Sequence, residues 1–229
     1  MLHKTQGIVI NYVRFRESSI IVKIYTQKFG IQTYIENGVR SSKGKNKIAL
    51  FQPLTLLDMV VYHDERKSIH RISEVKCLIP YTSLPYDIAK SSIAMFLDEI
   101  LNKTLQEQTE NEVLFDFLRE SLLVLDLQDD NFENFHLVFL LKLSFFLGFS
   151  PQSSQEMFEQ FKEFSMQIPY DLNYERLLNH LILAEYTTLL QIGRLERIHL
   201  LDIIILFYKI HIEGLGEIKS LQVLHEIFG

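Results

Sequence analysis

A chain of 229 residues, 47% of them hydrophobic, is long enough for one large or two small domains and can bury a sizeable core without staples. Its formal charge of −6 is that of an ordinary acidic soluble protein, but residues 1–80 hold thirteen Lys and Arg against six Asp and Glu, a balance of +7, and the remaining 149 residues come to −13. The single cysteine, Cys77, excludes an internal disulfide framework and a CxxC-based zinc site and suits a reducing compartment.

A basic head on an acidic body suggests a polyanion-facing module joined to something else. The opening "MLHKTQGIVI" lacks the pattern of a signal peptide, so the expected location is the cytoplasm. From Gly7 to about Leu78 the chain reads as strands rich in Ile, Val, Tyr and Thr: "GIVINYVRF", "SIIVKIYTQ", "IQTYIENGV", "LFQPLTLLDMVVYH" and "SIHRISEVKCL". Turn residues separate them: "RESS", then "KFG" with Gly30, then the basic stretch "GVRSSKGKNK", then the charged "HDERK". Ile31, Thr33 and Ile35 alternate with Gln32, Tyr34 and Glu36, which makes that strand half buried. Five short strands with imperfect alternation and no helical pattern between them suggest a small closed barrel whose bulges disturb the period.

After "IPYTSLPYD" the apolar period changes from two toward 3.6, and Pro80 and Pro85 mark a domain boundary, giving domains 1–80 and 81–229. Ile88, Ile93, Phe96, Leu97, Ile100 and Leu101 form one helical stripe, and Val113, Leu114, Phe117, Leu118, Leu122 and Leu125 a second. A third helix, Phe132 to Leu147, is apolar nearly all round and ends at Gly148 with Pro151 following; it is the expected centre of a helical domain. Its most apolar window, "FHLVFLLKLSFFLGF", contains His136 and Lys142 and is about fifteen residues long, short of the roughly twenty a membrane span needs. The segment "PQSSQEMFEQFKEFSMQIPYD", with Phe158, Phe161 and Phe164, reads as one short helix packed on the side. Helical patterning resumes in "LNYERLLNHLILAEYTTLL", "ERIHLLDIIILFYKIHIE" and "IKSLQVLHEIF".

The motifs of enzymes are missing. "GVRSSKGKNK" has five residues between Gly38 and Gly44 where a phosphate-binding loop needs four, and Asn46 stands in place of the magnesium-binding hydroxyl. GxSxG, a GxGxxG after a strand, and HExxH are absent. Glu196 and His199 have the spacing of one di-iron ligand pair, but such sites use two. No catalytic or metal site is therefore expected.

What the sequence does offer is the basic stretch: Arg40, Lys43, Lys45 and Lys47, without an acid, between two barrel strands. A charge run is often only a solvated face. Here Arg14, Arg16, Lys23, Lys28, Arg66, Lys67 and Arg71 share the domain, interleaved with Tyr12, Phe15, Tyr25, Phe29, Tyr34 and Tyr62. Cations on a Gly- and Ser-containing loop can follow a phosphate backbone without reading bases. Exposed rings can stack unpaired bases. Most of the six rings belong to a barrel core, and Tyr25 and Tyr34 are the expected stacking platforms.

These residues also carry a resemblance. "KTQGIVI", "RFRESSIIVKIYTQKFG" and "NGVRSSKGKNKIALFQPLTLLDMVVY" are similar in order and spacing to the amino-terminal domain of the RecO family of bacterial recombination mediators. The matches are Gly7 to Ile10, Glu17 to Ser19, Thr26 with Gly30, Gly38 with Arg40, and Leu50 to Pro53, where Phe51 interrupts the family's Leu-Gln-Pro. "FLDEILNKTL", "FDFLRESLLVLD", "FENFHLVFLLKLSFFLGFSP" and "IKSLQVLHE" resemble the family's helices. The resemblance implies an α+β multidomain protein, a five-stranded OB-fold barrel followed by an all-helical domain. It implies a non-enzymatic, cytoplasmic, nucleoid-associated DNA repair and recombination mediator. Such a protein binds single- and double-stranded DNA, anneals complementary strands and, with a RecR partner, helps load recombinase onto DNA coated by single-strand-binding protein, SSB.

On this reading the DNA-binding candidates are Arg40, Lys43, Lys45 and Lys47, then Arg14, Arg16, Arg66 and Arg71, with Tyr25 and Tyr34 for bases. Lys142 with Arg119 is the candidate receptor for the acidic SSB tail, although Lys142 equally suits a packed helix from which its ammonium snorkels. Several relatives carry a four-cysteine zinc module that Cys77 alone cannot build, so no zinc and no other cofactor is expected. The alternatives are an OB-fold RNA-binding protein and a barrel that docks acidic proteins.

Overall fold

The β-branched and aromatic residues of the first part of the chain form β1 (Leu2–Phe15), β2 (Ser19–Thr26), β3 (Gly30–Glu36), β4 (Leu56–Tyr62) and β5 (His70–Cys77). In the computed structural model, which describes residues 1–39, 47–166 and 171–228, they close in the order β1-β2-β3-β5-β4. All pairs are antiparallel except β3 with β5, which run parallel through Tyr34↔His70 and Ile35↔Arg71. Closure thus joins the edges of β3 and β5 over that short stretch alone.

β1 is long because it serves two neighbours: Leu2 to Ile8 pair with β4 and Gly7 to Phe15 with β2. A bulge at Ile10 lets it turn from one to the other. The interior is filled by Val9, Ile20, Val22, Ile24, Tyr34, Phe51, Leu57, Met59 and Val61. β3 turns Gln32, Tyr34 and Glu36 to the buried side and leaves Thr33 and Ile35 partly exposed.

Among the described residues seven helices follow: α1 (Ile88–Thr104), α2 (Glu112–Leu127), α3 (Phe135–Phe146), α4 (Ser154–Glu163), α5 (Leu172–Ile182), α6 (Arg194–His211) and α7 (Ser220–Phe228). The chain packs as two compact units that alternate along it: Met1–Thr82 with Asp98–Leu123, and Ser83–Leu97 with Val124–Gly229. The end of α1 and most of α2 thus group with the barrel. There the amide of Ile31 donates to the Glu107 carbonyl at 3.0 Å, and the Lys23 ammonium donates to the Asn102 carbonyl at 3.3 Å. Gln27 Nε2 donates to Glu112 Oε1 at 2.7 Å.

In the second unit α3 is buried from Phe135 to Leu141. The Tyr208 hydroxyl donates to the Leu140 carbonyl at 2.6 Å. Gly148, at φ +84°, ends the helix, and the amide of Phe149 returns to the Ser144 carbonyl at 3.0 Å. Lys90, though buried, donates to Ser83 Oγ at 2.6 Å and to the Asp126 carbonyl at 2.9 Å. The Asp126 carboxylate in turn accepts from the amides of Ser83 and Leu84 at 2.9 and 2.7 Å, so the buried charges are hydrogen-bonded as they must be.

α4 bears out the short helix expected after Pro151. The Ser153 hydroxyl caps it by accepting from the Glu156 amide at 3.2 Å, and Met157, Phe158 and Phe161 are its buried residues among the apolar ones, whereas Phe164 is exposed. Helical patterning resumes in "LNYERLLNHLILAEYTTLL", and α5 takes up its first part, stopping at Ile182. Beyond it the backbone is held by side chains instead. Thr188 Oγ1 accepts from the Glu185 amide at 2.9 Å, Asn134 Nδ2 donates to the Leu190 carbonyl at 3.0 Å, and Tyr186 stacks on Phe135 at 4.3 Å. Side-chain bonds to the backbone offer it an alternative to the helical ladder.

Gly30 sits at φ +59°, and a Cβ there would lie 2.5 Å from the carbonyl oxygens of both Glu107 and Thr109. Gly38, at φ +73°, would meet nothing within 4 Å among the described residues. Gly30→Ala is therefore expected to cost about 2–4 kcal/mol, left-handed strain plus overpacking, against about 1–2 kcal/mol for Gly38→Ala. Equal losses in urea unfolding would contradict the close approach. A second expectation concerns His136, whose pKa burial pushes down to about 3, helped by nearby Arg197 and His225. The unfolded chain takes up a proton near 6.5 that the folded chain refuses, so stability should fall as pH drops through and below that value. His136→Phe should flatten the decline of the unfolding midpoint between pH 6.5 and 4.

Candidate nucleic-acid interface

Strand register places one row of outward side chains across all five strands. Val13 pairs with Ile21, Ile21 with Ile35, Ile35 with Arg71, Arg71 with Tyr62 and Tyr62 with Leu2. Residues directly opposite on neighbouring strands share a face. Val13, Tyr62 and Leu2 are half exposed, Ile21 and Ile35 partly so, and Arg71 is exposed. The row is thus an apolar band with one guanidinium and one phenol ring set side by side. Where β3, β4 and β5 meet, it opens into a cleft of about 700 Å³ whose lining includes Ile35, Tyr62, Lys67, Ile69, His70 and Arg71.

The predicted residues fall into distinct groups. Arg14, Arg16, Arg66 and Arg71 are all exposed. Arg16 follows β1 at φ +52°, its guanidinium 5.1 Å from the Phe15 ring centroid. Arg66 is held by Asp64, Nε to Oδ1 at 3.1 Å, and those hydrogen bonds draw the Asp64 carboxyl down to about 2. Arg71 makes no ion pair among the described residues. Lys47 Nζ lies 2.6 Å from Glu36 Oε1, which spends part of its charge inside the barrel wall. Arg40, Lys43 and Lys45 lie outside the described residues.

Tyr25 and Tyr34, expected as stacking platforms, are instead buried and offer no ring face to a base. Tyr25 is 3% exposed and stacks on Phe115 of α2, with centroids 6.3 Å apart. Burial, aided by the Glu107 carboxylate, pushes its phenol up to about 12. Tyr34 is fully buried in the barrel, 5.9 Å from the His70 ring, and burial raises its phenol well above the usual range. Tyr34 points to the barrel interior with Val22, whereas Tyr25 shares the outer face of β2 with Ile21 and Lys23 and is buried there by Phe115. Tyr62, half exposed on β4, is a ring the surface does offer. Its sequence signal was the end of an apolar strand beside the charged "HDERK" turn. Lys23, counted among the basic residues of the barrel, is half buried against Asn102, and that burial lowers its pKa.

Of the tail-receptor candidates, Lys142 Nζ pairs with Glu185 Oε2 at 2.8 Å and lies 5.9 Å from the Tyr186 ring centroid. Arg119 is engaged by Asp116 at 3.0 Å, by Glu120 at 3.7 Å and by Gln6 Oε1 at 3.4 Å. The first lies in the helical unit and the second in the barrel unit. Among the described residues no group of three or more His, Cys, Asp or Glu side chains is placed to hold a metal ion, and no helix is long and apolar enough to cross a membrane.

A five-stranded closed barrel of OB type, followed by helices and carrying a cation beside an exposed ring, defines a class of barrel-plus-helix proteins. Comparison with known proteins narrows it. Residues 1–81 match the family model described as recombination protein O N terminal, and residues 85–222 the one described as recombination protein O C terminal. A protein of Flavobacterium psychrophilum named DNA repair protein RecO is 36% identical over 237 residues, covering 98% of each chain. Its namesake in Bacteroides fragilis is 36% identical over the whole of both chains, and that of Flavobacterium johnsoniae 37% identical over 98% of both. The chain belongs to the RecO family.

Because the Tyr34 hydroxyl is buried without a hydrogen-bond partner, its desolvation is uncompensated. Tyr34→Phe should be neutral or stabilising by up to about 2 kcal/mol. A loss of that size in thermal unfolding would mean that the hydroxyl has a partner.

Proposed function

We propose that this chain is a non-enzymatic DNA repair and recombination mediator that binds single- and double-stranded DNA through its barrel. The observation that carries the reading is the Arg71–Tyr62 pair on the outward band, in a member of the RecO family. Cations on the barrel, with Arg40, Lys43 and Lys45 beside it in sequence, neutralise phosphates and release counterions without reading sequence. Neutralising two strands at once lowers the repulsion that slows their pairing, which makes annealing the expected activity.

The chain also acts, on this proposal, in the cytoplasm at the nucleoid, with a RecR partner and with SSB, helping to load recombinase onto coated DNA. It needs no zinc or other cofactor, since Cys77 cannot supply a four-cysteine module. The SSB tail would meet Lys142 by displacing Glu185. That exchange costs little, because the Glu185 carboxylate is mostly exposed and exposed ion pairs contribute little.

Salt titration of binding to a labelled single strand tests the core of this reading. With Arg40, Lys43 and Lys45 all changed to alanine, the slope of log affinity against log salt should shrink by about 2 units, from roughly 0.7 per contact on single strands. Adding Lys47→Ala should change it by less than a full contact, since Lys47 already holds Glu36. An unchanged slope in a folded variant would remove the basic stretch from the interface, and absence of binding by the natural protein would remove the function.

A further inference from the structure

The cleft beside Arg71 has a floor of aromatic rings. His70, 4% exposed, stacks on His63 with centroids 4.6 Å apart, and His63 stacks on Phe29 at 3.9 Å and an interplanar angle of 9°. His3 meets Phe29 edge-on at 5.3 Å. The Nδ1 atoms of His63 and His70 are buried and unpartnered. Buried polar atoms are ordinarily satisfied, so the two histidines are left with an unmet polar demand beside the cleft. Above this floor stand the half-exposed Tyr62 ring, apolar walls from Ile35 and Ile69, and the cations of Lys67 and Arg71. The volume lies in the range of pockets that hold small molecules.

We propose that this cleft is a subsite for one unstacked nucleotide of a single DNA strand: the base lies on Tyr62 between the two isoleucines, and its phosphate sits on Arg71 and Lys67. The inference rests on the DNA-binding reading above and adds to it a place where single strands are preferred over duplex. A duplex keeps its bases stacked on one another and cannot present one to a ring, whereas a single strand can. Arg71 and Tyr62 are opposite each other in the ladder, so phosphate and base contacts are set by the same two strands.

The histidines add a proton to the exchange. His63 and His70 face His3, the Met1 amino group, Asp64, Glu65 and Lys67, together with the Arg71 that pairs with Tyr62. Burial first, then a neighbouring histidine, lowers both pKa values. They are therefore neutral near pH 7, and a bound phosphate favours their charged forms. Binding of single strands should tighten as pH falls through and below the ordinary histidine value of 6.5.

The test uses the full chain, a fluorescein-labelled oligodeoxythymidine and a blunt duplex of equal length, with unfolding curves to show that each variant is folded. Tyr62→Leu should weaken single-strand binding about 5- to 150-fold, the range of one lost stack, while Tyr62→Phe keeps it and duplex binding stays within about twofold. His70→Gln should reduce the affinity gained as pH falls through and below 6.5. If Tyr62→Leu leaves both ligands unaffected while the Arg40, Lys43 and Lys45 variant weakens both, the barrel binds DNA but this cleft is not the subsite. If Tyr62→Leu weakens both ligands equally, the cleft is a general phosphate contact and the base-stacking proposal is overturned. If the natural protein binds neither ligand, the DNA-binding reading itself falls.

Discussion

The barrel depends on a handover within a single strand. β1 leaves β4 and takes up β2 at Gly7 and Ile8, the two residues that pair with both neighbours at once. A Cβ at Gly7 would lie 2.6 Å from both Ile24 Cγ2 and Met59 Cε, so only a residue without a side chain lets the strands draw in at that point. The bulge at Ile10 then redirects the remaining half of β1. With β1 turned, β3 and β5 come close enough for their short parallel contact, Tyr34↔His70 and Ile35↔Arg71. The outward band and its cleft exist because that last pairing closes the ring.

Closure also decides which charges remain for a ligand. The head carries +7 by count, but Lys23 is held by Asn102, Lys47 by Glu36, and Arg66 by Asp64. The helical unit uses cations in the same way. Arg197 donates to Asn134, Phe228 and Ile192, and Lys90 is wholly internal. Formal charge therefore overstates the field at the barrel surface, and Arg14 and Arg71 count for more than their number suggests.

Much of this was legible in the residues. The change of period near Pro80, the five β-rich runs and the near-uniform apolarity of the third helix are backbone-scale signals, and hydrophobic pattern reports them directly. Ring exposure was not legible, because it turns on strand phase. In β3 the set containing Tyr34 is buried with Gln32 and Glu36, whereas Ile35, more apolar than either, faces outward. A bulge shifts that phase by one position and moves every side chain beyond it to the opposite face. Likewise the stop of α5 at Ile182 rests on bonds from Asn134 and Thr188, one of them from a residue almost fifty positions earlier in the chain.

Strands give way to helices near residue 80, yet the packing of the first unit reaches on to Leu123. Tyr25 is covered by Phe115, and Gly30 by the backbone at Glu107 and Thr109. Modularity in this chain is thus not the modularity of its domain names. A barrel transplanted between relatives as residues 1–81 alone would leave behind its own cover and present a bare tyrosine to water. The piece that can be inherited intact is discontinuous, and recombination between genes of this kind would preserve the fold only where it carried residues 98–123 along with the strands.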